Sequence, residues 1–414
     1  MHMRLKTLLV TLLAYTLTAP TLAQQPTVEQ LMKELENLFH RLEELEKWKK
    51  DEFPKVKEDT AKLSKAAKAW EKKAKELLIS GDIRFRYDHE ENVRAGATDR
   101  GRERLRLRIK GMKQIDQYID FGMMLATAPD PISDNQTLES LAQDPEIRLN
   151  QAFFGYSPNN QRTRVVGGLI PNPFMSTEVI WDSDYNFPGL ALSHVLKAES
   201  EKSPGEVKFV LGQFVVDEEA NNADARLTAL QLQGKNSQLG IAGAISYYKY
   251  SDTLDPKDVP GGARGNRVNA AGDTYVSGFA PLDFLLQWDL PQPEGKLPIQ
   301  LTLDYVKNND ADDANKGWAI QAAFNKKPAK KNDWQLLAQY RKVEADATVA
   351  AFADSDWDQL NGAGKGTNVK GFEIEYVRML SDKVQGALSW FHVKPEDGSN
   401  EASNRFFVDL STKF

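Results

Sequence analysis

The chain has 414 residues, of which 41% are apolar and 27% are charged, and its formal net charge is −6. The mean hydropathy of −0.52 argues against a bundle of membrane-spanning helices. After the first two dozen residues, no apolar run approaches the roughly 20 residues that a spanning helix needs. The mild net charge gives no reason to expect nucleic acid as a partner, and the sequence predicts no cofactor.

Cysteine is absent and histidine occurs five times. A disulfide framework, a thiol nucleophile and a thiolate metal site are therefore excluded. The histidines show no spacing typical of metal ligands, so no metal site is predicted.

The first residues have the features of a secretory signal peptide. Arg4 and Lys6 supply positive charge, residues 8–17 are mainly apolar, and Ala23 ends a small-residue cleavage site. The alternative is a membrane anchor, but the apolar stretch is short and rich in threonine. We therefore predict that residues 1–23 are removed and that the chain is exported.

Residues 24–77 show the heptad spacing of a coiled coil. Apolar positions recur at intervals of three and four, with a change of phase near residues 51–54. The first part of this series consists of Val28, Leu31, Leu35, Leu38, Leu42 and Leu45. The pattern predicts a periplasmic α-helical coiled coil that oligomerises. The alternative is a single amphipathic helix that lies against the barrel predicted below or against the peptidoglycan layer.

From residue 78 onward the period of the apolar positions changes to two. Ile83, Phe85 and Tyr87 alternate with polar residues, and similar alternation recurs to the end of the chain. Repeated alternation over about ten residues is typical of transmembrane β-barrel strands. We count sixteen strands, which start near residues 78, 102, 117, 146, 161, 187, 206, 225, 237, 274, 296, 316, 332, 369, 383 and 403.

The connections between these strands alternate in length. Short turns such as Gly234–Asn236 and Ser381–Lys383 alternate with long links such as Ser251–Asp273 and Ala345–Asn368. Bacterial outer-membrane barrels have short periplasmic turns and long external loops. The predicted fold class is therefore an all-β transmembrane barrel over residues 78–414 of about sixteen antiparallel strands, preceded by the helical segment and located in the outer membrane.

The last strand ends on an aromatic residue, Phe414, after a run of alternating apolar residues. This pattern resembles the carboxyl-terminal signal that is read by the barrel-insertion machinery. The alternative is an aromatic girdle residue at the lipid interface, which predicts the same location.

One segment resembles a known family. Arg164 begins the sequence Arg-Val-Val-Gly-Gly-Leu-Ile-Pro-Asn-Pro-Phe, which is followed by Trp181 and two nearby aspartates. Over residues 78–414 the chain is similar to bacterial outer-membrane porins of the sixteen-stranded type, in particular the "putative porin" family. The resemblance implies a homotrimer and a third loop that folds inward and constricts the channel. The loop residues that we assign to it are Asn172, Pro173, Phe174, Glu178, Trp181, Asp182 and Asp184.

Strand parity places a series of cations on one face of the barrel wall. If the apolar residues contact lipid, the alternating cations face the lumen, because each would cost about 2–4 kcal/mol at the membrane midplane. This predicted basic ladder comprises Arg84, Arg86, Arg102, Arg104, Arg106, Arg108, Lys110, Arg148 and Arg164.

Acidic residues of the third loop are candidates for the countercharge. We predict that a basic wall faces an acidic loop at the narrowest point, where the field between them sorts solutes by charge. The facing groups would be Arg104, Arg106, Arg108 and Arg164 on the wall and Glu178, Asp182 and Asp184 on the loop. In the alternative, the arginines pair with neighbouring acids and select nothing.

The predicted function is a porin for passive diffusion of ions and small polar solutes, in contact with outer-membrane lipid. A hydrolase is disfavoured because the only close serine–histidine pair, Ser193 and His194, is adjacent in a strand and so lies on opposite faces. A structural tether or adhesin, in which the coiled coil grips the cell wall, is the alternative from a non-channel class.

Overall fold

The computed structural model describes residues 28–51, 54–60, 62, 64, 77–91, 98–127, 133–141, 144–158, 162–200, 204–251, 253–357, 366–398 and 401–414. The predicted signal peptide and much of the second heptad segment lie outside these described residues. The chain divides into two compact units, Met1–Lys73 and Ala74–Phe414.

The first unit contains the helix α1 (Val28–Asp51), of 24 residues. On its apolar stripe, Leu38 is 62% and Leu45 is 64% exposed. Within the described part of the chain, no helix combines the length and the hydropathy needed to cross a bilayer. A coiled coil requires a second helix against this stripe, so the predicted coiled coil stays a prediction.

The second unit is one antiparallel sheet of seventeen strands. The strands are β1 (Leu78–Glu91), β2 (Arg100–Gln114), β3 (Ile119–Thr127), β4 (Gln136–Thr137), β5 (Ile147–Tyr156), β6 (Thr163–Pro171), β7 (Asn186–Lys197), β8 (Gly205–Asp217), β9 (Ala225–Asn236), β10 (Ile241–Tyr250), β11 (Pro281–Leu290), β12 (Ile299–Asn308), β13 (Lys316–Phe324), β14 (Trp334–Val343), β15 (Val369–Met379), β16 (Val384–Pro395) and β17 (Ser403–Lys413).

The sheet closes on itself. Each long strand pairs with its neighbours along the chain, and β1 pairs with both β2 and β17. The two-residue strand β4 pairs with β2 beyond the end of β3 and adds no further position around the barrel. The result is a closed barrel of sixteen antiparallel strands, which confirms the predicted barrel and its strand number.

The strands form because their alternating residues suit two different environments. On β1, Ile83, Phe85 and Tyr87 are exposed on the outer face, whereas Asp82 and Arg86 are buried inside. Closure leaves no unpaired sheet edge, which a spanning sheet requires because lipid offers no hydrogen-bond partners.

One predicted strand start was wrong by several residues. The sequence pattern placed it near residue 274, but β11 begins at Pro281. Before this point, Tyr275 and Phe279 pack against each other at 5.1 Å within a buried cluster. These residues therefore belong to a packed loop that precedes the strand.

Candidate functional site in the barrel interior

The arginines of β1 and β2 lie side by side on the inner wall. The register places Arg84 opposite Arg106 and Arg86 opposite Arg104. Like charges opposite one another destabilise a sheet unless countercharge intervenes. The acids of the same wall supply that countercharge.

The two closest ion pairs between β1 and β17 lie across the closing seam. Arg86 donates from Nε and Nη2 to Asp409, both at 2.7 Å, and Arg405 donates to Asp88 at 3.0 and 3.1 Å. The ring of Phe407 lies 3.7 Å from the Arg86 guanidinium carbon. All four charged groups are buried, so each depends on its partner.

Four arginines of β2 form ion pairs with aspartates of β1. Arg106 and Arg108 both bind Asp82, at 2.7 and 2.8 Å. Arg102 and Arg104 both approach Asp88, at 2.8 and 3.4 Å. Arg84 lies next to this series and donates to Asn135 at 2.5 Å. The wall is therefore a mixed lattice of arginines and carboxylates.

The connection between β6 and β7, residues 172–185, is the third long one and is called L3 here. Of the predicted pairings between the ladder and L3, the structure contains the one between Arg108 and Asp184, at 3.6 Å. Arg108 also lies 3.6 Å from Asp134, which binds Arg148 at 2.7 Å. Burial and the neighbouring Asp184 raise the pKa of Asp134 to about 6.

Arg164 lies apart from this contact, contrary to the predicted pairing with L3. Its guanidinium binds Asp120 at 2.5 and 2.7 Å and Ser157 at 3.2 Å. A Cβ on Gly155, in the intervening strand β5, would lie only 2.3 Å from Nη2 of Arg164. The missing side chain therefore lets Arg164 reach across one strand to a carboxylate of β3. Arg104 and Arg106 likewise bind wall acids instead of L3.

L3 begins with an Asn-Pro turn. The side chain of Asn172 accepts from the backbone N–H of Phe174 at 2.9 Å and donates to Ser176 at 3.2 Å. This turn directs Phe174 into an aromatic cluster, where it meets Tyr248 edge-on at 5.4 Å. The turn thus fixes the direction in which L3 leaves the wall.

Apolar and polar contacts hold L3 to the inner faces of β7–β12. Trp181 packs on Phe187 at 4.6 Å. The backbone of Met175 both donates to and accepts from the buried amide of Gln231, each at 2.8 Å. Since Gln231 faces inward, L3 lies against the inner wall in this part of the barrel.

The connection after β14 also contacts L3, and sequence reasoning missed this. Its described residues 344–357 are called L7 here. The backbone N–H of Asp182 donates to the backbone carbonyl of Phe352 at 2.7 Å, and the backbone N–H of Asp354 donates to that of Glu178 at 3.0 Å. Residues 345–353 contain five alanines and few charges, a composition that suits a packed segment better than a solvated loop. That composition was the available signal.

An acidic cluster forms where L3 meets L7. Burial raises the pKa of Glu178, Asp182 and Asp354. Repulsion from neighbouring carboxylates raises it further, and the pKa of Asp354 reaches about 8. Arg341 lies 3.5 Å from Asp354 and 3.8 Å from the ring of Trp357. Glu178 and Asp182 of the predicted acidic face are thus brought together with L7 and Arg341, not with the ladder.

Lys110 is the predicted ladder residue nearest the end of β2. It lines an interior cavity of about 290 Å³ together with Arg164, Asn172 and Pro173. Lys208 of β8 lines the same cavity and was not predicted from the sequence as a pore residue.

Phe414 closes the last strand against the first. Its backbone exchanges two hydrogen bonds with Gly81, at 2.9 and 3.0 Å. A Cβ on Gly81 would lie 2.6 Å from the Phe414 ring, so the glycine makes room for it. The ring is otherwise exposed.

Two other side-chain groups bear on chemistry. Ser193 lines the interior cavity, whereas His194 contacts the hydroxyl of Thr163 at 2.8 Å. Among the described residues, the carboxylates of Asp217, Glu219 and Asp258 lie close together, but Lys257 pairs with Glu219 at 2.6 Å.

Solved structures share this fold. The high-pH structure of Pseudomonas putida OprB matches with a TM-score of 0.53 and 12% identity, over 82% of this chain and 94% of that one. The low-pH structure of the same protein has a TM-score of 0.51 and 9% identity, over 84% and 96%. A triple mutant of Rhodopseudomonas blastica porin gives 0.48 and 11%, over 82% and 100%. At these identities the likeness to OprB establishes the fold alone.

No curated protein matches the chain. The family described as putative porin, however, matches residues 89–280 and 266–414, which together cover most of the sequence and nearly all of the barrel. The chain therefore belongs to the putative porin family of outer-membrane β-barrel channels.

Proposed function

We propose that the protein is a water-filled channel for passive diffusion of ions and small polar solutes. The observation that carries this proposal is the wall of β1, β2 and β17, where charged side chains face inward and apolar ones face outward. Such polarity suits a wall with water on one side and hydrocarbon on the other. A sixteen-stranded barrel is wide enough to leave an aqueous lumen.

The open path in this proposal runs beside the arginine wall. The interior next to β5–β10 is occupied by an apolar cluster that includes Phe174, Trp181, Phe214 and Tyr248. L3 and L7 bind each other, and Asp356 of L7 also lies 3.5 Å from Arg86 and from Arg405 on the wall. The constriction then lies between L3 and the β1–β2 wall, with Arg108 and Asp184 at its border.

The predicted ladder, Arg84 to Lys110 with Arg148 and Arg164, lines this path in our proposal. Its charges are largely matched by Asp82, Asp88 and Asp409. A field across the lumen would then depend on the few groups with incomplete pairing. Arg84 is one such group, since its closest carboxylate, Asp409, lies at 3.7 Å.

We also propose that the protein is a homotrimer, inserted by the barrel-insertion machinery through its last strand. The exposed apolar stripe of α1 supports this, because three such helices would bury it. Peptidoglycan is the other surface that this periplasmic segment would meet.

Planar lipid bilayers test the channel. We expect stepwise ionic conductance from the wild-type protein and, for Arg106→Glu, a reversal potential under a salt gradient that shifts towards cation preference. Lys307→Glu makes the same charge change on an exposed outer side chain and should leave the reversal potential unchanged. A folded barrel without conductance would refute the channel and favour the tether. An unshifted Arg106→Glu potential would refute the role of the ladder in selectivity.

A further inference from the structure

The interior cavity next to the start of L3 has an unusual composition. It has a volume of about 290 Å³ and is lined from β2, β5, β6, β7, β8 and L3. Small-molecule sites are typically clefts of roughly 300–1,000 Å³ with apolar walls and a few polar groups. The cavity lies just below the lower limit of that range.

The polar groups of the cavity are predominantly cationic. Lys110, Lys208 and Arg164 line it, and none of its lining residues is acidic. Arg164 is neutralised by Asp120. Within the part of the chain that the structure describes, neither lysine has a carboxylate within 4 Å. Glu206, on the same strand as Lys208, lies 3.9 Å from Lys235. The cavity therefore has an excess of positive charge.

The rest of the lining is apolar. Phe153, Ile170 and Val210 are buried side chains of three different strands that face this space. Met112, Val166 and Pro173 extend the same surface. An inorganic anion gains no binding free energy from such a surface, because the hydrophobic effect favours contact between apolar groups only. A neutral apolar solute, in turn, forms no ion pair with the two lysines.

We propose that this cavity binds organic monoanions that carry a compact apolar body, such as aromatic carboxylates, during their passage through the barrel. The carboxylate lies between Lys110 and Lys208, and the ring packs on Phe153 and Val210. This inference rests on the proposed channel function and names its solute class. Affinity must stay modest, since a solute that binds too tightly does not leave the channel.

Single-channel recording with added benzoate tests the proposal. We expect benzoate to interrupt the chloride current at lower concentration than acetate, which lacks the ring, or benzyl alcohol, which lacks the charge. In the double variant Lys110→Gln/Lys208→Gln, the half-blocking benzoate concentration should rise about tenfold or more, because a charge-assisted hydrogen bond is lost. Lys307→Gln, on the outer face, should match the wild type.

The results distinguish failure of the proposed binding site from failure of the proposed channel. Absence of any ionic current would refute the proposed channel, whereas current that benzoate, acetate and benzyl alcohol affect equally would refute only the binding site. Block that persists unchanged in the double variant would also refute the site. Calorimetric titration of the detergent-solubilised wild type gives a second test that needs no variant. Saturable benzoate binding, with no heat from acetate or benzyl alcohol, supports the site, and non-saturable heat contradicts it.

Discussion

Truncation of Phe174 to alanine should release L3 from the barrel wall. The Phe174 ring is buried and meets Phe187, Phe214 and Tyr248 edge-on, at 5.9, 6.0 and 5.4 Å. Each such contact contributes roughly 0.5–1.5 kcal/mol beyond the burial of area, and a buried Phe→Ala change costs about 3–5 kcal/mol in all. Because Phe174 belongs to the loop and its partners belong to the wall, the substitution reduces the free energy with which L3 docks on the wall.

Hydrogen exchange of the Met175 amide measures this docking, since that N–H donates to Gln231. A loss of about 3 kcal/mol corresponds to a more than 100-fold faster exchange when opening limits it. We also expect the single-channel current of Phe174→Ala to fluctuate between the wild-type level and larger ones.

The matched control is Phe154→Ala, one residue away from the inward-facing Phe153. The Phe154 side chain is 65% exposed on the outer face and lies 6.0 Å from Phe121. It should leave the exchange of Met175 unchanged. If Phe174→Ala also left that exchange unchanged while the barrel remained folded, the reasoning that the aromatic cluster anchors L3 would be wrong.

Three further predictions concern the seam, the loops and the helix. Asp409→Asn removes the partner of the buried Arg86 and should lower the free energy of unfolding by about 3 kcal/mol, measured by the urea midpoint. Because the pKa of Asp354 is raised to about 8 in the folded protein, the folded state holds its proton more tightly than the unfolded chain. Docking of L7 should therefore weaken as pH rises from about 4 to 8, and amide exchange, corrected for its intrinsic pH dependence, should show this. Leu38→Asp combined with Leu45→Asp should dissociate the oligomer, measured by mass photometry in detergent.

Controls for these three experiments use similar changes elsewhere. Asp289→Asn alters an exposed aspartate at the end of β11 and should barely change the urea midpoint. Asp354→Asn should remove most of the pH dependence of L7, whereas Asp310→Asn should retain it. Asn37→Asp, off the apolar stripe, should leave the oligomer intact. A pH-independent wild-type L7, or an oligomer that survives both leucine changes, would contradict the respective prediction.

The barrel could be predicted from the sequence because its cause is local and repeated. Each strand alternates between residues suited to hydrocarbon and residues suited to the interior, so Ile83 and Arg84 already define the two faces. Loop lengths then order the strands, since short and long connections must alternate in an up-and-down barrel. Nearly all strand starts lie within four residues of their predicted positions.

The contacts inside the barrel were less predictable because they join residues far apart in the sequence. Arg164 binds Asp120, 44 residues away, through a gap left by Gly155. L7 contacts L3 across more than 160 residues, as in the bond between Asp182 and Phe352. Parity determines which face a side chain occupies, but the choice of partner depends on the three-dimensional path of the loops.

The salt bridges at the seam have a consequence for assembly. Arg86 belongs to the first strand, but its closest carboxylate, Asp409, arrives with the last strand, as does Arg405, one of the partners of Asp88. Until synthesis is complete and the end of the chain has docked, the buried Arg86 lacks its closest carboxylate. A barrel that closed prematurely on an earlier strand would therefore carry an electrostatic penalty, so the correct circumference is favoured over smaller rings.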